Sequence, residues 1–134
     1  METMNPVVHF EMPAEDRDRM SEFYAKAFGW KTQKLSEDLD NYILVTTTET
    51  DDKGMTMHPG AINGGFFPQK PDKAYPSVVI VVEDIHKSIK EINQAGGKTI
   101  GEPVEIQGYG TYISFIDTEG NRNSIIQPSL DNKN

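Results

Sequence analysis

With 134 residues and 36% hydrophobic side chains, the chain is the length of one domain and can bury a core unaided; its lack of cysteine excludes disulfides, thiol nucleophiles and thiolate metal sites. A formal charge of −8, with Lys and Arg scattered rather than gathered in a stripe, opposes a phosphate backbone and argues against nucleic acid as a partner. There is no apolar run of about 18 residues and no basic segment leading into an apolar one, so the expectation is a cytoplasmic protein without a membrane partner. Its partner is then a small molecule or a second copy of itself.

Residues Val7 to Met12 alternate as a strand, with Val7, His9 and Glu11 on one face and Val8, Phe10 and Met12 on the other. From Glu15 the period lengthens. Met20, Phe23, Tyr24, Ala27 and Phe28 follow the spacing of a helix with one buried stripe, Glu15 and Asp16 suit its positive end, and Gly29 stops it. Strands are expected near Trp30 to Leu35, Tyr42 to Thr48 and Ala61 to Phe67, with a polar turn over Asp51 to Gly54.

The stretch Pro68 to Pro76 holds three prolines and reads as a linker. After it the order repeats. Ser77 to Val82 is a β-branched strand, Asp84 is placed to cap a helix, and Ile85, Ser88, Ile89, Ile92 and Ala95 form its stripe, ending at Gly96 and Gly97. Strands follow near Lys98 to Ile106, Tyr109 to Asp117 and Asn123 to Gln127, with Gly108, Gly110 and Gly120 as turn residues. Each half reads β-α-β-β-β, an α+β arrangement. Units this short bury little surface alone, so pairing them into one sheet system is the economical solution.

Several motifs then converge. Val8-His9-Phe10-Glu11-Met12-Pro13, Arg19, Phe23-Tyr24 and Phe28-Gly29-Trp30 open the first half. Val81 to Ile85, Ala95-Gly96-Gly97, Gly108-Tyr109-Gly110 and Asp117 to Asn121 punctuate the second. Together these resemble the glyoxalase/bleomycin-resistance/extradiol dioxygenase (vicinal oxygen chelate) superfamily over roughly residues 5 to 128. The resemblance implies one domain over 1–134, with module one at about 5–67, a linker at 68–76 and module two at about 77–128. It implies two βαβββ modules forming an open eight-stranded half-barrel, whose cup holds a metal and a chelating substrate. It also implies that such folds commonly pair as homodimers.

In glyoxalase-type members the resemblance implies two His and two Glu as metal ligands, from the first and last strand of each module. His9 stands at the first of these positions, and Ni, Zn, Fe or Mn are the ions it would take. The second His position falls at Ser77, the final Glu position near Ser124, and the remaining one near Asn63 to Gly65, where no carboxylate stands. A catalytic metal normally needs three protein ligands. Glu11, two residues along the same strand face, and Gln127, at the end of the last strand, are the substitutes within reach. His9 and Glu11 serve equally as a proton-transfer pair.

The expectation is therefore a glyoxalase-like protein that binds a small oxygenated molecule, of lyase or isomerase type but outside the classical lactoylglutathione reaction. His9 and Glu11 are its catalytic pair, and Ser77, Ser124, Tyr109, Tyr112 and Gln127 its substrate contacts. Metal-independent capture of a drug or other small molecule, as in bleomycin-resistance proteins, is the second reading. A domain with a filled cup and a dimerising role is the third. His58, beside a polar segment, and His86, next to the buried-stripe residue Ile85, are expected to face water. Tyr42 is open between ligand contact and packing, and Gly64-Gly65-Phe66-Phe67 between a bulge near a ligand and a sheet corner. Trp30 is expected in the core, and Glu37, Asp38 and Asp40 in a solvated turn.

Overall fold

Strands and helices alternate in an order that occurs twice. The first copy is β1 (Val7–Ala14), α1 (Arg17–Phe28), β2 (Lys31–Lys34), β3 (Ile43–Thr46) and β4 (Asn63–Pro68). The second is β5 (Ser77–Val81), α2 (Ile85–Gln94), β6 (Lys98–Ile106), β7 (Gly110–Ile116) and β8 (Arg122–Pro128). This computed structural model describes residues 4–35, 37–39 and 41–129. Of the acidic group, Glu37 is exposed, while Asp40 and the Asp38 side chain lie outside the described residues.

The chain divides into two compact units, one of residues 9–76 and one of residues up to 8 together with those from 77 onward. In the first, the hydrogen-bonded strand order is β2-β3-β4-β1, antiparallel except for the parallel pair β1 and β4. In the second it is β6-β7-β8-β5, again antiparallel except for the parallel pair β5 and β8. The repeat predicted from hydrophobic period is thus a repeat of topology. The α+β class, with eight strands and two helices, is observed.

Local chemistry explains the helix ends. Asp16 Oδ1 accepts from Arg19 N at 3.0 Å and Asp84 Oδ1 from His86 N and Lys87 N, so each helix begins on a carboxylate that satisfies amides without a helical partner. Gly29 closes α1 in the left-handed region at φ 75°, where a Cβ would be strained.

Each unit packs its helix on one sheet face. Ile43, Val45 and Phe66 form a buried cluster in residues 9–76, with Phe10, Met12, Met20, Tyr24 and Trp30 against it. Val82, Ile85, Ile113 and Ile125 form the second, with Ile80, Ile89, Ile92 and Phe115. Full burial of a side chain of this size stabilises by about 1.5–3 kcal/mol. Trp30 and Ile85, Ile89 and Ile92 of α2 therefore pack as expected, although only Ile85 of α2 is fully buried and Ala95, expected in the stripe, is exposed.

Helix α1 differs from its expectation. Met20 and Tyr24 reach the cluster, but Phe23 is 57% and Phe28 64% exposed, and no α1 residue is fully buried. The aromatic side chains pack on one another instead: Phe23 meets Tyr24 edge-on at 5.0 Å and Tyr24 stacks on Trp30 at 4.6 Å. The segment after β4, expected as a linker, belongs to the 9–76 unit. Gln69 N bonds Ala14 O at 3.0 Å, and the Lys73 ammonium sits 4.3 Å from the centre of the Phe67 ring. No helix among the described residues is long and apolar enough to cross a membrane.

Candidate functional site

Strand alternation places the first polar set. Phe10 and Met12 of β1 point to the helix-covered core, so His9 and Glu11 point to the opposite sheet face. Glu11 is only 5% exposed, an unusual setting for a carboxylate. His9 is half-buried, and its Nε2 lies 2.8 Å from the Tyr42 hydroxyl. Burial pushes the His9 pKa below the ordinary histidine range, and the negative charge of Glu11 pulls it partly back. At neutral pH the ring is therefore neutral, able to donate through one nitrogen and accept through the other.

Tyr42 reaches His9 because a tight turn aims it. Asn41 adopts φ 55°, a left-handed conformation that Asn tolerates better than most residues. The Arg17 guanidinium, from the first turn of α1, donates to the Asn41 carbonyl. Tyr42 N donates to Leu39 O at 3.1 Å, and its carbonyl accepts from Leu35 N at 2.9 Å. The phenol then lies across Gly65, which faces Glu11 in the β1–β4 register; a Cβ on Gly65 would fall inside the ring. Gly64, one residue earlier, makes room on the other face for Phe10, whose ring would stand 2.5 Å from an added Cβ. The two glycines are therefore seats for two aromatic rings, one on each face.

Asn63 pairs with His9 across β4 and is held within its own unit, Oδ1 accepting from Thr47 N at 2.9 Å and Nδ2 donating to Thr50 Oγ1 at 3.2 Å.

The second unit carries a hydroxyl cluster. Ile113 and Ile125 fill the helix side, so Tyr112, Ser114 and Ser124 share the opposite face. Ser124 is 2% and Ser114 6% exposed; their Oγ atoms are 3.0 Å apart, and Ser124 Oγ donates to the Tyr112 hydroxyl at 2.7 Å. Ser77 lies on the face of Val79, the residue paired with Ser124. Tyr109 sits in the β6–β7 turn, 40% exposed, its carbonyl accepting from Ser129 N at 3.1 Å.

Gln127 turns the other way. Its Oε1 accepts from Ile85 N at 2.9 Å, completing the N-terminus of α2 on the helix side of β8, and it does not join the hydroxyl cluster. Within the units, the structure groups His9, Glu11 and Tyr42, and separately Tyr112, Ser114 and Ser124. Sequence reasoning misses Ser114, although its alternation with Ile113 and Phe115 carries the signal. His58 and His86 are both exposed.

These residues do not fit a resident divalent ion. Among the described residues no group of three or more His, Cys, Asp or Glu converges. Where the family pattern is expected to supply ligands, this chain has hydroxyls at Ser77 and Ser124, and over 63–65 an amide, Asn63, whose oxygen serves Thr47, followed by two glycines. Among the described residues, His9 and Glu11 are the imidazole and carboxylate that β1 offers Ni, Zn, Fe or Mn on this face, fewer than three ligands, and His9 Nε2 is engaged by Tyr42.

Relatives agree with the fold. A lactoylglutathione lyase of Oryza sativa is 29% identical over 88% of the chain, which spans 43% of that protein's length. A probable lactoylglutathione lyase of Vibrio cholerae is 27% identical over 90% of the chain and 89% of its own. A solved methylmalonyl-CoA epimerase, in complex with methylmalonyl-CoA and NH4+, superposes with TM-score 0.68 at 14% identity, over 96% of this chain and 97% of that one. The model of the Glyoxalase/Bleomycin resistance protein/Dioxygenase superfamily matches residues 7–125, and with the doubled βαβββ topology this places the chain in that superfamily.

Proposed function

We propose that the chain binds a small thioester or similar oxygenated compound on the His9–Glu11–Tyr42 face and catalyses proton transfer at the carbon next to its carbonyl, an isomerase-type reaction without a metal. The carrying observation is a buried carboxylate, Glu11, two residues from a neutral, hydrogen-bonded imidazole, His9, on one strand face. Strand geometry sets their Cα atoms roughly 7 Å apart, room for a ligand carbonyl to engage both.

Glu11 as carboxylate takes the proton from the α-carbon. The C–H electron pair moves into the C–C bond and charge develops on the carbonyl oxygen, where the His9 N–H offers a hydrogen bond. Return of the proton from Glu11 to the same face restores the original configuration; delivery of a solvent proton to the opposite face completes an epimerisation, and neither path involves net oxidation or reduction. The compounds named for the relatives support the substrate class: lactoylglutathione and methylmalonyl-CoA are both thioesters with a hydrogen on the carbon beside the thioester carbonyl.

The test is incubation with each of these two thioesters in deuterium oxide, following loss of the α-hydrogen by proton NMR. Protein-dependent exchange with at least one, reduced roughly 100-fold or more in Glu11→Gln, is the expected result. Binding of either compound without exchange would replace this reading with ligand capture; neither binding nor exchange would remove the thioester class.

A further inference from the structure

We propose that Tyr42 is the positioning residue of His9: its hydroxyl donates to Nε2, fixes the imidazole in the form protonated at Nδ1, and takes up the ring nitrogen that a metal ion would otherwise use. This deepens the functional reading and rests on it in one respect, since the N–H that steadies the developing oxyanion is then assigned to one nitrogen.

Three features aim the phenol at His9. The first is the 2.8 Å separation between the Tyr42 hydroxyl and His9 Nε2. The second is the backbone turn, with Asn41 at φ 55°, its carbonyl held by Arg17, and Tyr42 bonded through both its N–H and its carbonyl. The third is Gly65, where any side chain would occupy the space of the phenol. A ring held by its backbone on one side and seated over a glycine on the other has little freedom to turn away, so the hydrogen bond is preorganised rather than incidental.

The direction of donation follows from acid–base chemistry. A phenol, with a pKa near 10, is a good donor, and the unprotonated nitrogen of a neutral imidazole is the strongest neutral acceptor among side chains. The partner at one ring nitrogen sets which nitrogen carries the proton. In a glyoxalase-type site the imidazole of β1 would direct a bare nitrogen at an ion; here the hydroxyl of Tyr42 stands at that nitrogen. The departure from the metal-binding pattern thus has a built substitute: the glycine opposite Glu11, within the 63–65 stretch where a ligand is expected, offers no donor and admits the phenol.

The tautomer is read directly from long-range proton–nitrogen correlation spectra of uniformly labelled, ligand-free protein at about pH 8, above the ordinary histidine range. His58 and His86, both exposed, serve as references in the same sample. The expected result is a bare Nε2 and a protonated Nδ1 at His9, reverting toward the reference pattern in Tyr42→Phe while His58 and His86 do not move. A proton on Nε2 in the native protein, or a His9 pattern unchanged in Tyr42→Phe, would overturn the proposal. Should the variant fail to fold, the native spectrum still decides it. The measurement uses no substrate, so failure of thioester exchange with the His9 tautomer as predicted would remove the reaction and leave the Tyr42–His9 pairing standing.

Discussion

At residue 9 an imidazole is held partly out of water, and burial lowers its affinity for a proton. The unfolded chain then binds that proton more readily than the folded one, so acid favours unfolding. This contribution is intact above the unfolded value of about 6.5 and is lost as pH falls from there through the lower folded value. Thermal melts between about pH 8 and pH 5 should show a falling Tm over this window, with a shallower slope in His9→Asn; parallel slopes would contradict the assignment. His9 and Glu11 were legible because strand alternation alone sets their common face. Tyr42 was not, because its reach depends on a left-handed Asn41 and on empty space over Gly65, neither of which has a periodic signature.

Secondary-structure elements carry the next level of the site. Gly65→Ala on β4 should cost about 1–3 kcal/mol through overpacking, and should move Tyr42 off His9, visible as a changed His9 nitrogen spectrum. A variant of native stability and unchanged spectrum would show that the ring does not need the glycine. Gln127→Ala should cost about 1 kcal/mol by leaving Ile85 N without its acceptor, and should leave thioester binding intact. Loss of binding at unchanged stability would return Gln127 to the ligand face. The parity of β8 already separates them: Ser124 and Gln127 are an odd number of residues apart, so an unbroken strand points them to opposite faces. For α1, spacing reveals the helix and its caps but overstates the breadth of the buried stripe, because Tyr24 and Trp30 satisfy Phe23 and Phe28 by ring stacking at the surface.

For the whole molecule, the duplicated order β-α-β-β-β was the most legible feature, since the change from period 2 to period 3.6 and back occurs twice, with an acidic cap before each helix and a left-handed glycine at the end of α1 and just past the end of α2. Family membership was readable from the same punctuation. Chemistry was less so, because the superfamily houses several reactions on one fold, and where ligands are expected this chain offers serine and glycine, which point to no one of them. The central claim is a proton-transfer site that works without a divalent ion. It is tested most directly by calorimetric titration of metal-stripped protein with Ni, Zn, Mn and Fe(II), with elemental analysis of the protein as purified and the deuterium-exchange assay run before and after stripping. The predicted result is no near-stoichiometric binding and exchange unaffected by stripping; stoichiometric binding that disappears in His9→Ala, or exchange that returns only when a metal is restored, would contradict it.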